Sequence, residues 1–351
     1  MALLFDMESF IADFSNEMKR DFRFIHSLSL LPKPKVAFHA VDADGIISAV
    51  ILKSLKEFQD AVFIPLGFQE LRHPEFGVLL KALNWLAIVD LPPFNESEVV
   101  LYCDHHSSNK SITKRANIVL FDENAPSTAS LLSKHFNDCL PANLKLLADL
   151  TSITDTASFT LPPPEDFPLN FLEATHQEQA WLLDDICHTP ESVEEVLALL
   201  HDLSNQKLEI FTNKLYQQRI LSLRTLRKRS IKLGDQFEFA DVIITIQGKE
   251  RIMTSALVNT LFEKGVKISC ILFPGKQFTG ISLRVNSQLP ESELERYRVD
   301  YIASKYSGGG HPRAAGGRGK SLQSTLKGIV EWIQSRDFSY RQYDLRKPRT
   351  C

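Results

Sequence analysis

Seven side chains able to bind a metal or move a proton fall at the ends of apolar runs in the first half of the chain. They are Asp42 and Asp44, then Asp90, then Asp104, His105 and His106, and finally Asp155. Few Lys or Arg residues stand between them. Five carboxylates brought together without cations would repel one another at a cost of several kcal/mol, or take up protons. A divalent cation removes that conflict by becoming the dominant local charge. Asp oxygens mixed with His nitrogens suit Mn2+ or another mid-series divalent ion better than Ca2+ or a thiolate-bound zinc. Six ligands with one bridging Asp can hold two ions about 3.5–4 Å apart, and such a pair makes hydroxide at neutral pH and clamps both oxygens of a phosphoryl displacement.

Each residue also has a plainer use. Asp42-Ala-Asp-Gly can be a helix-capping turn, Asp90 before Leu-Pro-Pro a turn residue and Asp155 a cap. His39, on an apolar run, can be a core histidine. Asp104-His-His resists that treatment, because three polar residues directly after a buried strand need partners. The joint placement of all these groups at one sheet edge favours the metal reading. A second motif, Gly308-Gly309-Gly310-His311-Pro-Arg313, combines backbone freedom with one imidazole and one guanidinium. Glycines let backbone N–H groups approach an anion closely. Arg284, in Ser-Leu-Arg at a strand end, can grip a phosphate in bidentate fashion. A flexible loop and a surface arginine are the plainer readings here.

The elements that must position these groups alternate. Residues 35–41 read as a buried strand broken by Asp42-Ala-Asp-Gly ahead of a helix over 46–58. Strands follow at 61–65, 86–89 and 99–102, with helices at 76–84, 127–136 and 143–153. This α/β alternation predicts an N-terminal parallel sheet with helices on both faces, whose ligands bind beyond the carboxyl ends of the strands. Apolar residues at helical spacing also predict a packed helix over 1–26. A proline-rich loop at 161–168 precedes a largely helical stretch over 177–229, basic between Lys207 and Lys232. From Gly234 onward the pattern is that of a smaller C-terminal α/β domain, with strands at 237–247, 266–273 and 280–285 and helices at 253–264 and 324–335. The expected organisation is a metal-binding domain over 1–205, a helical linker over 206–234, a substrate-binding domain over 235–340 and a loosely held basic tail over 341–351.

Composition bounds the function. The 351 residues are 44% hydrophobic and 24% charged, which fits a folded chain of two domains. Lys and Arg total 40 against 43 Asp and Glu, a net charge of −3. A polyanion must therefore be held by a local basic site or by metal, and a protein that coats long nucleic acid is disfavoured. The longest apolar runs, such as 79–91, are broken by Lys or Asn and fall short of the about 20 residues that cross a bilayer, so no membrane partner is expected. Acidic residues at Asp6, Glu8 and Asp13 interrupt what would be the apolar core of a signal peptide, which points to the cytoplasm. Five cysteines with no C-x-x-C pair read as free thiols.

The series His39-x-x-Asp42-x-Asp44-Gly45, Asp90, Asp104-His105-His106, Asp155, Ser282-Leu-Arg284 and Gly308-Gly-Gly-His311 is similar to the motif order of one family. From about residue 35 to 317 the chain resembles the DHH phosphoesterases with their associated C-terminal domain. That group includes RecJ-type single-strand exonucleases, nanoRNases that also dephosphorylate 3′-phosphoadenosine 5′-phosphate, and cyclic-dinucleotide phosphodiesterases. The resemblance implies that His39, Asp42 and Asp90 hold one Mn2+ and that Asp44, Asp90, His105 and Asp155 hold the other, with Asp90 bridging. It implies that His106 contacts the scissile phosphate and that Asp104 orients the neighbouring imidazoles. It also implies that Arg284, the Gly308, Gly309 and Gly310 backbone, His311 and Arg313 hold the nucleotide or its terminal phosphate, with catalysis between the two domains. His39 precedes Asp42 by three residues, where many relatives have two or four, and Ala157 stands where relatives often have Gly.

RecJ-type enzymes usually carry a further nucleic-acid-binding domain, and membrane-anchored cyclic-dinucleotide enzymes carry spanning and sensor segments. Neither is expected in this chain. The favoured substrates are short oligonucleotides, linear dinucleotides or nucleoside 3′,5′-bisphosphates. A RecJ-like single-strand exonuclease and a nucleotide-binding sensor without turnover are the alternatives, and a homodimer is among the assemblies considered. Arg224, Arg227, Lys228, Arg229 and Lys232 can track a single nucleic-acid strand or form a solvated linker face.

Overall fold

The structure is a computed structural model that describes residues 16–67, 71, 77, 80–81, 83–94, 99–106, 109–110, 116–156, 158–159, 170–275 and 278–347. The expected helix over 76–84 lies mostly outside the described residues, as do the loop over 161–168, residues 1–15 of the first expected helix and Ala157. The chain divides into two compact units, residues 1–223 and 224–351.

In the first unit a helix, α1 (Asn16–Ser29), precedes β1 (Lys35–His39) and α2 (Ala43–Ser54). Then come β2 (Val62–Leu66), β3 (Trp85–Val89), β4 (Val99–Asp104) and β5 (Ala116–Phe121). Helices α3 (Thr128–His135), α4 (Ala142–Asp155), α5 (His176–Cys187) and α6 (Val193–Gln206) follow, and α7 (Lys214–Asp235) contains the division between the units. The five strands form one parallel sheet in the order β2-β1-β3-β4-β5. Its inner strands are covered on both faces and so read as continuous apolar runs. Val36, Phe38, Ala87, Val89, Leu101 and Cys103 face a core shared with α2 to α6, whereas Ala37, Ile88 and Tyr102 face a second core with Phe22 and Ile25 of α1. The strand order reverses between β1 and β3, and a parallel sheet binds its ligands at such a switch point.

The edge strand β5 is absent from the expected elements. Its burial is uneven, with Ile118 and Val119 exposed, so it lacks the alternation that marks a half-buried strand. Helix α2 is the opposite case: every residue from Ala43 to Leu52 is buried. A helix buried all round is central to its domain, and any polar residue on it must find a partner there.

The second unit contains β6 (Val242–Ile246), α8 (Thr254–Glu263), β7 (Ile268–Pro274), β8 (Thr279–Val285), α9 (Glu291–Tyr297) and α10 (Asp300–Ser304). It continues with β9 (Gly309–His311), β10 (Ala314–Gly319), α11 (Leu322–Gln334) and β11 (Tyr340–Asp344). Its mixed sheet has the order β11-β6-β7-β8-β10-β9, parallel among the first three strands and antiparallel thereafter. One expectation and one plainer reading change here. The tail expected over 341–351 is held over Tyr340–Asp344 as an edge strand on β6, with Tyr343 stacked on Phe237 at 3.8 Å. Its charged residues face outward because an edge strand exposes one side, which is why its composition reads as loose. The glycine motif is a β-hairpin rather than a flexible loop, with Ala314 opposite His311 and Gly316 opposite Gly309.

Candidate metal centre and phosphate-binding sheet

The sheet order brings the loops after β1, β3 and β4 side by side, and each ends in a carboxylate. Asp42 caps α2 by accepting from the Gly45 N–H at 3.2 Å, so the capping role read from the sequence is real. Its other oxygen lies 2.9 Å from His39 Nδ1, which also approaches Asp90 Oδ2 at 3.4 Å. Asp44 is 1% exposed and turns the other way. It accepts from the N–H groups of Thr128 and Ala129, at 2.7 and 2.8 Å, at the start of α3. Two free N–H groups and the positive end of the helix dipole thereby fix this carboxylate.

Asp90 lies between the His39 and His106 sides of the cluster. Its φ of 56° lies in the left-handed region, an uncommon conformation for a residue with a side chain. Its N–H still donates to the Cys103 carbonyl at 3.0 Å, so β3 stays joined to β4 while the side chain turns between the two loops. Asp90 Oδ1 accepts from Thr128 Oγ1 at 3.2 Å and lies 3.6 Å from His106 Nδ1.

His105 donates Nδ1–H to the Ala125 carbonyl at 3.1 Å. That bond selects the tautomer whose Nε2 carries the lone pair. The Nε2 atom is buried without a hydrogen bond and faces Asp155 Oδ2 at 3.2 Å and Asp44 Oδ2 at 3.5 Å. Asp104 is fully buried and bound from several sides. It accepts from Tyr102 Oη, Asn109 Nδ2, both following backbone N–H groups and His106 Nδ1, at 2.6 to 3.2 Å. So satisfied a carboxylate has nothing left to offer an ion, but it holds the His106 imidazole and the backbone of both histidines in place.

The charges confirm a site under electrostatic tension. Burial raises Asp44 well above the usual carboxylate range, helped by Asp90 and Asp155. Burial also raises Asp90 and takes Asp155 up to about 6. Burial works against a charged His39, but hydrogen bonds to Asp42 and Asp90 outweigh it and push the imidazole up to about 10. The Asp104 hydrogen bond raises His106 to about 9. Three sets of donors converge within 4.8 Å: His39, Asp42 and Asp90; Asp44, His105 and Asp155; and Asp90, His105 and His106. The lone pair of His105 Nε2 aimed between two carboxylates, the mixed oxygen and nitrogen donors and the unrelieved repulsion all fit divalent cations.

The expected residues of the second unit lie apart from this cluster along the sequence and stand on their own sheet. Arg284 on β8 pairs in register with Ala314, which pairs with His311, so the three occupy one row of the sheet. Gly308 is required for close packing, since a Cβ there would come within 1.9 Å of the Gly316 carbonyl oxygen. Arg313 is turned to other work: it donates to the carbonyls of Asn286 and Leu289 and pairs with Glu291 at 2.8 Å. The basic run on α7 is not a continuous stripe. Arg224 and Arg227 are buried, which leaves Lys228, Arg229 and Lys232 exposed.

The sequence reading missed Thr128, Ala129, Asn109 and Ala125, which act through backbone groups, the Thr128 hydroxyl or a short amide. The Ser127-Thr128 pair is a helix-start signal, and Ser127 does cap α3 through the Ser130 N–H, but nothing in that signal says which carboxylate the helix end will meet.

No protein-family model matches the chain, and no curated protein sequence matches it. Solved structures do. A pGpG-specific phosphodiesterase, PggH from Vibrio cholerae, is 18% identical, with 87% of this chain and 99% of that one covered at a TM-score of 0.57. Exonuclease RecJ bound to manganese is 15% identical, with 91% and 94% covered at a TM-score of 0.54. RecJ from Thermus thermophilus in complex with Mn2+ is 15% identical at a TM-score of 0.53, and there 95% of this chain spans 57% of the longer protein. The resemblance to the DHH phosphoesterases that the motifs carry therefore extends to the fold.

Proposed function

We propose that this protein is a divalent-metal-dependent phosphoesterase that hydrolyses short oligonucleotides, linear dinucleotides or nucleoside 3′,5′-bisphosphates. The observation that carries the reading is the set of overlapping donor groups at the β1/β3 switch point, sharing Asp90 and His105. In this reading His39, Asp42 and Asp90 hold one ion, and Asp44, Asp90, His105 and Asp155 hold a second. Two Mn2+ ions bound there supply an acidified water and neutralise charge on the phosphoryl oxygens. His106 is held by Asp104 through Nδ1 and is 45% exposed at the side chain, so its other ring nitrogen is available to a phosphate oxygen. Asp104 sets that imidazole and the backbone of both histidines, and so acts through His106 rather than on substrate. Arg284, the Gly308–Gly310 backbone and His311 are assigned to the nucleotide.

Among the described residues no helix is long and apolar enough to cross a membrane. The described cysteines are unpaired, three of them buried, which fits a cytoplasmic setting. Burial of Arg224 and Arg227 removes two of the five cations on which tracking of a long strand would rest.

Hydrolysis by the purified chain in Mn2+ tests the reading, with a nucleoside 3′,5′-bisphosphate, di- to pentanucleotides and a long single strand as substrates and EDTA as control. EDTA-sensitive turnover of the short substrates is expected. Processive degradation of the long strand would replace the reading with an exonuclease, and tight binding without turnover would replace it with a sensor.

A further inference from the structure

One face of the second sheet is covered only in part. Over β6 and β7, Ile243 and Ile271 pack beneath Leu257, Val258 and Leu261 of α8. Over β8 and β10 the same face carries Gly280, Ser282, Arg284, Ala314, Gly316 and Arg318, and none of these is buried. Pairing sets them in rows: Arg284 with Ala314 and His311, Ser282 with Gly316 and Gly309, and Gly280 with Phe273 and Arg318. An arginine therefore stands at each end of a strip of small residues.

Three observations mark this strip as a binding surface for a polyanion. Arg229, Arg298, Arg313, Arg341 and Arg346 of this unit are each paired with a carboxylate. Arg284 and Arg318 take part in no ion pair among the described residues; Arg296 and Arg336 share that property but lie over Tyr297, Phe338 and Trp332, away from the strip. Ser269, opposite Arg284 on β7, is 1% exposed and its Oγ makes no hydrogen bond, which leaves a buried polar atom at the Arg284 end. At the other end the Arg318 guanidinium lies over the Phe278 ring at 4.8 Å, and Phe278 remains 40% exposed. A guanidinium laid on an aromatic ring presents its outer plane for stacking a base and its edge for a phosphate.

The spacing selects among substrates. Four residues along β8 separate the Arg284 row from the Gly280 row, which at about 3.4 Å per residue is roughly 14 Å. The two phosphates of a nucleoside bisphosphate sit on one ribose and span less of that backbone separation than the two nucleotides of a dinucleotide do. We propose that Arg284 receives one phosphate and that Arg318 with Phe278 forms a distal subsite for the next nucleotide, so that the strip favours linear dinucleotides and short oligonucleotides over nucleoside bisphosphates. This rests on the phosphoesterase reading for its substrate class.

Equilibrium binding of a phosphorothioate-linked dinucleotide and of the phosphorothioate analogue of adenosine 3′,5′-bisphosphate, in Mn2+, tests it on the full chain and on Arg318→Ala. The variant should weaken dinucleotide binding about tenfold and shrink the preference over the bisphosphate by a similar factor. Arg318→Lys, which keeps the charge but loses the plane, should fall between the two and serves if the alanine variant does not fold. Equal weakening of both ligands, no weakening, or no dinucleotide binding by the wild type overturns the subsite. Because binding is read apart from turnover, a wild type that binds the analogue through Arg318 but does not hydrolyse the ordinary phosphodiester dinucleotide in Mn2+ overturns the phosphoesterase reading and leaves the subsite standing.

Discussion

Asp90→Asn separates the holding of metal from the holding of the fold. Asp90 is 2% exposed, has a φ of 56° and accepts from Thr128 Oγ1 at 3.2 Å, while its N–H bonds Cys103. Asn tolerates the left-handed region, retains an oxygen for Thr128 and leaves the backbone bond intact. Burial disfavours the ionised carboxylate and outweighs its attraction to His39 and His106, so its removal takes no net stabilising charge away. The metal-free variant should therefore melt within about 2 °C of the metal-free wild type, or above it. The metal-bound comparison differs sharply. Mn2+ at about a hundredfold its Kd adds about 2.7 kcal/mol to a protein that binds it only when folded. At about 2–4 °C per kcal/mol for a unit of this size, that is a rise of roughly 5–11 °C. Asp90 belongs to two of the three donor groups, so the variant should keep less than about 2 °C of that rise and lose about a thousandfold in kcat, near 4 kcal/mol. Thermal melting with Mn2+ or EDTA, together with dinucleotide hydrolysis, reads both. An undiminished metal-induced rise, or turnover within tenfold of wild type, would refute the bridging assignment. A metal-free variant that unfolds would show that the carboxylate supports the fold instead.

Gly45→Ala should cost about 3 kcal/mol in chemical denaturation, because its Cβ would come within 2.0 Å of the His39 carbonyl oxygen, and an unchanged midpoint would contradict that packing. Asp104→Asn turns an amide N–H toward at least one of the donors that the carboxylate now accepts, and should lower kcat/KM about 10–100-fold with little loss of helix content. Mn2+ binding at pH 7 should release protons. His39, pushed up to about 10, carries a proton at that pH which the metal must displace, so apparent affinity rises with pH. Calorimetry in buffers of different ionisation enthalpy measures the release, and a value near zero would remove His39 from the donor set.

Much of the first unit was legible because its strands are buried on both faces and each ends in a polar residue at the same edge. Asp42, Asp44, Asp90, His105 and Asp155 could be placed beyond strand or helix ends from hydrophobic pattern alone, whereas His39, inside a strand, entered only through the motif resemblance; the structure brings their ligand atoms together. What pattern could not supply was direction. The turn of Asp90 into the left-handed region, and the α3 end that seizes Asp44, depend on tertiary contacts with Cys103, Thr128 and Ala129. The second unit was harder to read for a different reason. In Gly309–His311 and Ala314–Gly319 small residues replace the β-branched and aromatic ones that mark strands, and in Tyr340–Asp344 charges mask an edge strand. Arg224 and Arg227 count as surface charge in any sequence reading, and only packing shows that they are buried.

The three-residue spacing from His39 to Asp42 follows from how tightly β1 turns into α2. With no side chain at Gly45, the first turn of the helix folds directly over the end of the strand, against the His39 carbonyl. Asp42, extended at φ −142°, is then carried back beside the imidazole that precedes it, and one carboxylate both caps the helix and meets His39. Two residues later Asp44 lies on the helix proper and points across it, toward α3 and His105. Residues two apart at the start of a helix do not face each other, so the two carboxylates meet separate partners. The close turn that Gly45 permits thus brings Asp42 to His39 while helix geometry sends Asp44 to the other donor group, and Asp90, arriving from the neighbouring strand end, is the residue left to join the His39 group to the His105 and His106 side.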